Sequence, residues 1–369
     1  MRQIAFLITV FLIASFHNIN DLKAQNGFHI DRTISRSTTD TIKKYALTYP
    51  KGTQFSIAII KNDTVNFIGL LNRNGELVSI NNRDSVFEIG SLTKIFTSTI
   101  LVNLILQDKI NPDEPISQTL PFKLSQSEKD GKSITYKMLS NHTSAIPSVP
   151  DNIDEYIKRN PENPFVDFDN KKFKDYLKTN MKLNFTPGSQ WDYSNLGAAL
   201  LGYLIEIKTG QPYETLLNTY VFSKYDMPSS TTDRTKIKYR LVKGHNDLGK
   251  PVLNWDCNAI ECAAACLSTT RDLTKFVLAN FSNDLVLNYQ RQRTFSVENN
   301  DLDIAYAWHI YRKNGIVWYF HNGGTCGYQS NITMDLNKKC AIIILTNSTY
   351  EPQERYLEKT SWKILRTLE

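Results

Sequence analysis

Residues 86–97 read VFEIGSLTKIFT, which is a short apolar lead-in and a glycine followed by a serine and a lysine three positions apart. No other serine among the 369 residues has a lysine at that spacing. Eight of the twelve positions 95–106 are apolar and they fall on all sides of a helix, a pattern typical of a helix that is buried on every side. We therefore expect Ser91 and Lys94 to open a helix of the core.

Ser91 and Lys94 are suited to nucleophilic chemistry by their spacing and surroundings. Residues three apart share one face of a helix, so the hydroxyl and the amine can meet. A serine at a helix start lies beside unpaired N–H groups, which suit a developing oxyanion. A lysine in an apolar helix must pair or lose its proton more easily. The alternative is structural, with Ser91 as an N-cap and Lys94 reaching to the surface.

The composition is that of an ordinary globular protein, with 41% hydrophobic and 22% charged residues and a net charge of +6. The chain has no basic cluster and no interleaved aromatic stripe, so we expect no nucleic-acid partner. Five cysteines are too few and too scattered for a disulfide framework, and an odd count leaves at least one unpaired. No Cys or His spacing suggests a metal site.

The first 24 residues have the pattern of a secretory signal. Arg2 supplies the positive start, residues 4–16 form the apolar core, and Leu22-Lys23-Ala24 is an acceptable cleavage site. We expect an exported protein, periplasmic or secreted, whose mature domain is 25–369. An uncleaved membrane anchor is the alternative. No later stretch is long and apolar enough to span a membrane.

The distribution of patterns along the chain predicts an α+β fold. Strand patterns occur at about 50–90 and 300–350, and helices and loops occupy about 91–285. We expect the two ends to build one antiparallel sheet flanked by helices, with the middle as a mostly helical insertion. The functional site would lie at the seam between them.

A second candidate cluster is WDYSN at 191–195, just before a helix predicted for 196–208. A tyrosine beside a cation can have its phenol pKa lowered and serve as a general base, which makes Tyr193 a candidate. Asn195 offers both a donor and an acceptor to a substrate amide. Without further evidence, these residues could equally form a turn and a helix cap.

The third cluster is FHNGGTCGY at 320–328, at the end of a predicted strand. Its glycines allow a substrate backbone to approach the strand edge and leave N–H groups free. A glycine-rich turn with an exposed histidine is the alternative. Lys208-Thr209-Gly210 resembles a catalytic tripeptide, but it ends a predicted helix and Gly210 is a natural C-terminal cap. His142 is expected to hydrogen-bond backbone.

Together these segments resemble the serine β-lactamase/penicillin-binding-protein superfamily in its class C-like branch. That branch includes class C β-lactamases, D-alanyl-D-alanine carboxypeptidases, D-aminopeptidases and family VIII esterases. The resemblance covers roughly residues 40–350, and its motifs occur in the family's order at 87–97, 134–147, 193–212, 263–273 and 321–328.

The resemblance implies a role for each matching residue. Ser91 would be the acylated nucleophile, Lys94 its proton partner and Tyr193 the general base, with Asn195 binding the substrate amide. Residues His321, Asn322 and Gly323 would form the third motif, and the N–H groups of Gly324 and Ser91 would form the oxyanion hole. No metal or organic cofactor is implied.

The resemblance implies an exported serine hydrolase acting on a small ester, amide or D-amino-acid peptide. His321 replaces the lysine usual in the third motif, as in the esterase and D-aminopeptidase branches. A neutral histidine should grip a substrate carboxylate less well than a permanent cation. The alternatives are a class C-like β-lactamase, a penicillin-binding or sensor module that acylates with little turnover, and an inactive scaffold. The sequence leaves the oligomeric state open.

Overall fold

The computed structural model describes residues 34–298, 300–351 and 357–368, and the predicted signal segment 1–24 lies outside them. The strands are β1 (Gln54–Lys61), β2 (Thr64–Arg73), β3 (Glu76–Ser79), β4 (Phe87–Glu88), β5 (Glu128–Lys129), β6 (Lys132–Ser133), β7 (Leu267–Ser268), β8 (Phe295–Ser296), β9 (Leu302–Ile304), β10 (His309–Lys313), β11 (Ile316–Gly324), β12 (Gln329–Asp335) and β13 (Cys340–Thr346). The α-helices are α1 (Arg36–Ala46), α2 (Thr93–Leu106), α3 (Tyr136–Ser140), α4 (Ile153–Arg159), α5 (Asn170–Thr179), α6 (Asn195–Thr209), α7 (Tyr213–Leu217), α8 (Glu261–Ala264), α9 (Thr270–Asn280), α10 (Leu285–Gln290) and α11 (Leu357–Arg366).

The central feature is a nine-stranded antiparallel sheet in the order β3-β2-β1-β13-β12-β11-β10-β9-β8. The two halves of the chain meet where β1 pairs with β13, for example at Ile57 opposite Ile344. All seven residues of β13 are buried, because helices cover both faces of the sheet. The predicted α+β fold, with a sheet from the two ends and helices between them, is confirmed.

The two faces of the sheet have separate cores. On one face α1 and α11 pack on alternate residues such as Ile57 and Ile342. On the other face, the neighbouring positions Ala58 and Ile343 join a large cluster that includes the helical region. Each face therefore takes every second residue of the same strand, as the pleat requires.

Helix α2 is the core of the helical region, as the sequence predicted. Its residues 93–104 are all buried, and Phe96 makes edge-on ring contacts with Phe222 and Phe276. Helix α6 confirms the helix predicted for 196–208 and is buried on several sides. Residues 196–202 are buried without a break, because α6 passes between α2, α3 and α8. Gly210 ends α6 in a left-handed conformation with φ of 67°, so the Lys208-Thr209-Gly210 tripeptide is a helix terminus, as predicted.

Some boundaries differ from the sequence predictions. Strand β8 begins before the region of strand patterns predicted from about residue 300, and β11 ends at Gly324, inside the third cluster. All five cysteines have free thiols. Among the residues described, no helix is long and apolar enough to cross a bilayer.

Candidate active site

Ser91 lies in a 3-10 turn, Gly90–Leu92, that leads directly into α2. Gly90 has φ of +50°, and a Cβ on it would be 2.6 Å from the Gly324 nitrogen. Only glycine fits there, because the conformation is left-handed and the strand β11 passes in contact. The turn is anchored by Ser330, whose hydroxyl donates to the Ile89 carbonyl at 2.8 Å. The nucleophile candidate is thus held against β11.

Lys94 is 2% exposed and makes three hydrogen bonds. Its Nζ lies 3.0 Å from Ser91 Oγ, 2.8 Å from Asn195 Oδ1 and 3.0 Å from the Ala263 carbonyl. Burial lowers the pKa of Lys94 from its usual 10.5 to about 7, because the charged form is desolvated. The predicted meeting of Ser91 and Lys94 is therefore present, and the amine can be neutral near physiological pH.

Tyr193 lies over the same amine, with Lys94 Nζ 4.8 Å from the centre of its ring. Burial raises the pKa of the Tyr193 phenol above its usual 10, and a side-chain hydrogen bond with Ser91 offsets only part of this rise. The sequence prediction that a neighbouring cation lowers this pKa is wrong, because burial dominates and the cation itself is close to neutral. Tyr193 is a protonated phenol at neutral pH.

Asn195 is the first residue of α6, and Ser194 caps that helix by accepting from the Gly197 N–H at 2.8 Å. The Asn195 side chain turns its Oδ1 to Lys94, so its acceptor is committed to the amine. Whether its Nδ2 group contacts a substrate amide stays a prediction. The structure does bring Ser91, Lys94, Tyr193 and Asn195 together across more than 100 residues of chain.

The third cluster forms the end of β11, which pairs with β12 from Tyr319 through Gly324. Its partner on the other side, β10, pairs with β11 only as far as Phe320. Residues 321–324 therefore extend past β10, and the Ser91 turn packs against them. A Cβ on Gly323 would be 2.0 Å from the Ile89 carbonyl, so the two segments touch through backbone.

His321 is 1% exposed rather than surface-exposed. Its Nδ1 is 2.6 Å from the Asn322 carbonyl, and its ring stacks on His309 with centroids 5.0 Å apart. Burial lowers the pKa of His321 well below 6.5, and the charges of His309 and Lys94 lower it further. His321 is thus neutral at pH 7, as the sequence argument supposed.

Two more histidines complete the surroundings of Tyr193. His142 accepts from the Ser194 N–H at 3.1 Å, as predicted, and its ring also lies 4.4 Å from that of Tyr193. His309 was not identified from the sequence. It lies on β10 opposite Phe320, so a strand alignment would have placed it beside the third motif.

Most of the candidate residues line one cleft of about 320 Å³, whereas Lys94 and Asn195 lie behind Ser91 and are not part of the lining. Its lining consists of Ser91, Tyr193, His309, His321, Asn322, Gly323, Gly324, Gln329 and Glu351. Glu351 is the exposed charged residue of this lining. Among the described residues there is no group of three or more His, Cys, Asp or Glu side chains that could hold a metal ion.

A serine hydrogen-bonded to a buried lysine, beside a tyrosine and an open strand edge, is the arrangement expected of the Ser-x-x-Lys class of proteins. The sequence model of the Beta-lactamase family matches residues 55–365, and the chain belongs to that family. The superfamily resemblance stated from the motifs is thereby confirmed.

Relatives and solved structures agree with this membership. The chain is 25% identical over 353 residues to Protein flp of Staphylococcus aureus strain MW2, covering 90% of this chain and 67% of that protein. A 149-residue match, 40% of this chain and 37% of the relative, is 33% identical to the D-alanyl-D-alanine-carboxypeptidase/endopeptidase AmpH of Escherichia coli K12.

Two solved structures show the same fold. A β-lactamase/D-alanine carboxypeptidase from Pseudomonas syringae superposes with a TM-score of 0.73 at 20% identity, over 90% of this chain and 98% of that one. A class C β-lactamase from Rhodobacter sphaeroides superposes with a TM-score of 0.72 at 16% identity, over 90% of this chain and 99% of that one.

Proposed function

We propose that this protein is an exported serine hydrolase that forms an acyl-enzyme on Ser91 and acts on a small ester, amide or D-amino-acid peptide. The observation that carries the proposal is the contact of Ser91 Oγ with a buried Lys94 whose pKa is about 7. A lowered lysine pKa beside a serine that lines a cleft is typical of a functional site rather than of a purely structural lysine. Export rests on the signal-like sequence of residues 1–24.

Lys94 is the base that the geometry favours. Asn195 Oδ1 and the Ala263 carbonyl can only accept hydrogen bonds, so they take the two N–H groups of a neutral amine. The nitrogen lone pair is then left for the third partner, the Ser91 hydroxyl. In acylation Ser91 Oγ bonds to the substrate carbonyl carbon while its proton passes to Lys94 Nζ.

Tyr193 acts in this proposal as a proton donor rather than as the base implied by the resemblance. Its raised pKa keeps the phenol protonated, and the phenol is hydrogen-bonded to Ser91. When the tetrahedral intermediate collapses, the leaving alkoxide or amine takes a proton from the Tyr193 phenol. The Lys94 ammonium then returns a proton to Tyr193. In deacylation, water attacks the acyl carbonyl carbon and gives its proton to the Tyr193 oxygen while the phenol passes its own proton to neutral Lys94. The bond to Ser91 Oγ then breaks, Ser91 takes the proton from the Lys94 ammonium, and the acid is released.

The developing oxyanion would be stabilised by the backbone N–H groups of Ser91 and Gly324. Both belong to segments in direct contact, and Gly324 is exposed at the strand edge. Fixed donors of this kind typically contribute more than any other single group to acyl transfer. The Asn195 Nδ2 group and the β11 edge at Gly323 would bind the substrate amide.

The charges of the cleft favour neutral or amine-bearing substrates over carboxylates. His321 is neutral, and Glu351 brings a negative charge to the cleft. Efficient β-lactam hydrolysis is thus the second candidate, supported by the fold shared with class C enzymes.

The test is a substrate panel offered to wild type and Ser91→Ala. The panel contains p-nitrophenyl esters, D-alanyl peptides and a chromogenic cephalosporin. We expect ester or D-peptide turnover that exceeds cephalosporin turnover and is lost in Ser91→Ala. Undiminished turnover in Ser91→Ala would sink the proposal, and cephalosporin as the best substrate would favour the second candidate.

A further inference from the structure

Glu88 is a buried carboxylate three residues before Ser91, only 5% exposed. Its Oε1 accepts from the Asn254 side chain at 2.7 Å and from the Trp255 N–H at 3.1 Å. Burial raises the pKa of Glu88, while hydrogen bonds from Thr325 and Asn254 lower it in part. Burying a carboxylate among neutral donors costs folding free energy, so we expect Glu88 to perform a function at this position.

Two donors of Glu88, the Asn254 side chain and the Trp255 N–H, belong to one loop, and Asn254 also reaches the segment that follows the third motif. Asn254 Nδ2 lies 2.7 Å from Glu88 and 3.0 Å from the hydroxyl of Tyr328. Tyr328 in turn donates to the Val242 carbonyl. The Thr325 N–H donates to the Tyr328 carbonyl at 3.0 Å, which closes the turn immediately after Gly324. Phe87 adds an edge-on ring contact with Tyr328.

These contacts join the two strands that carry the oxyanion donors. The Ser91 N–H follows β4, which contains Glu88, and the Gly324 N–H ends β11 just before Thr325. At Gly90 and Gly324 the segments touch through backbone, and the hydrogen bond from Ser330 to the Ile89 carbonyl anchors the turn on the β12 side. The chain of hydrogen bonds Glu88–Asn254–Tyr328 fixes the separation of the two segments from the other side.

We propose that Glu88, together with Asn254, is a positioning residue that sets the distance and angle between the Ser91 and Gly324 N–H groups. The inference rests on the proposed function, because it explains how the two N–H groups of the proposed oxyanion hole are held in line. Neither residue touches substrate. Their effect should appear in the transition state, where the oxyanion forms, and not in substrate binding.

The experiment uses Glu88→Ala, Glu88→Gln and Asn254→Ala, with Glu214→Ala as the matched control. Glu214 is also a partly buried carboxylate that accepts from a backbone N–H and from hydroxyls, at Thr231 and Thr232, and none of these hydrogen bonds reaches the Ser91 turn or β11. Reactive Ser91 is titrated with a fluorophosphonate, so that kcat for p-nitrophenyl acetate is expressed per folded site. The affinity of an arylboronic acid, which forms a tetrahedral adduct, is measured in parallel.

Glu88→Ala should lower kcat per titrated site about 10–100-fold and weaken boronate binding by the same factor, with KM changed less than about threefold. Glu88→Gln keeps an acceptor oxygen and should restore most of the activity. Asn254→Ala should match Glu88→Ala, and the double variant should be no worse than either, because both act through one chain. Glu214→Ala should lower the free energy of unfolding without changing kcat per titrated site or boronate affinity.

An unchanged kcat per titrated site in Glu88→Ala overturns the inference, as does a loss of kcat with normal boronate affinity. If Glu88→Ala does not fold, Asn254→Ala and Glu88→Gln decide by the same two readouts. Failure of the proposed function looks different, because Ser91 of the wild type would then react with neither reagent, and the inference would fall with it.

Discussion

At the scale of single residues, the proton on Lys94 decides whether Ser91 can react. Three hydrogen-bond partners surround the amine, and burial makes the ammonium unfavourable. The same burial keeps the Tyr193 phenol protonated. One physical cause therefore moves the two pKa values in opposite directions and assigns the base and the acid.

The pH dependence of hydrolysis follows from Lys94. Its folded pKa of about 7 means that the amine is protonated below pH 7 and free above it, so kcat/KM should rise with pH and level off above about pH 8. Tyr193, with its raised pKa, should cause no decline in the neutral range. Lys94→Arg remains cationic. Its kcat/KM should fall about 10²–10⁴-fold and should no longer rise with pH near pH 7. A flat wild-type profile between about pH 5 and 9 would exclude Lys94 as the base.

Tyr193→Phe separates the two assignments of the base. Removing a donor should reduce kcat/KM about 10–100-fold while the limb near pH 7 stays in place. If kcat/KM of Tyr193→Phe no longer rises near pH 7 and is as low as in Ser91→Ala, the phenol is the base instead. Both profiles are measured on the same p-nitrophenyl ester.

At the scale of elements, the site depends on a backbone contact between the Ser91 turn and β11. Gly323 faces the Ile89 carbonyl, whereas a Cβ on Gly324 would meet nothing closer than the Tyr328 carbonyl at 3.8 Å. Adjacent glycines on one strand thus have opposite tolerances for a side chain.

Gly323→Ala and Gly324→Ala form a matched pair. The Cβ at 323 would lie 2.0 Å from the Ile89 carbonyl, so the turn must shift and kcat/KM should fall at least about 100-fold. Gly324→Ala should stay within about threefold of the wild type, since a methyl group fits there without displacing its neighbours. Equal losses in both variants would refute the contact as the reason for the glycine at 323.

At the scale of the whole molecule, the sheet joins the chain's two ends and holds the site between the sheet and the helical region. Helix α11 covers one face, where Trp362 packs against Tyr311, Trp318 and Phe320 with centroids 4.7–5.9 Å apart. Phe320 is next to His321, so this packing supports the third motif from behind.

Trp362→Ala should therefore lower the free energy of unfolding by about 2–4 kcal/mol, measured by urea denaturation. Trp362→Phe keeps an aromatic ring against the same three side chains and should lose less than half as much. A loss below about 0.5 kcal/mol in the alanine variant would show that α11 contributes little to the sheet.

The parts of the molecule predictable from sequence are those with a local or repeated pattern. Helix α2 follows from its apolar run, and the positions of Ser91, Lys94 and Tyr193 follow from motifs. Helix α1 begins at Arg36, because the Ser35 hydroxyl caps it by accepting from the Thr38 N–H. A contact between Thr38 and Thr367 lies in this first turn, and no local pattern reveals it.

The missed features depend on contacts between distant segments. The pKa of Tyr193 is set by its depth of burial, which residue types do not show. His309 reaches the site through the pairing of β10 with β11, and Glu88 meets Asn254 across 166 residues. Export and the roles of the site residues stay predictions.

Quenching the reaction with acid within milliseconds and measuring the mass of the intact protein shows whether Ser91 becomes acylated. We predict a transient mass increase equal to the acyl group of a good ester substrate, mapped by peptide analysis to Ser91 and absent from Ser91→Ala. Tyr193→Phe should accumulate the adduct more slowly. Turnover with no adduct at Ser91, or an adduct on another residue that persists in Ser91→Ala, would contradict the account.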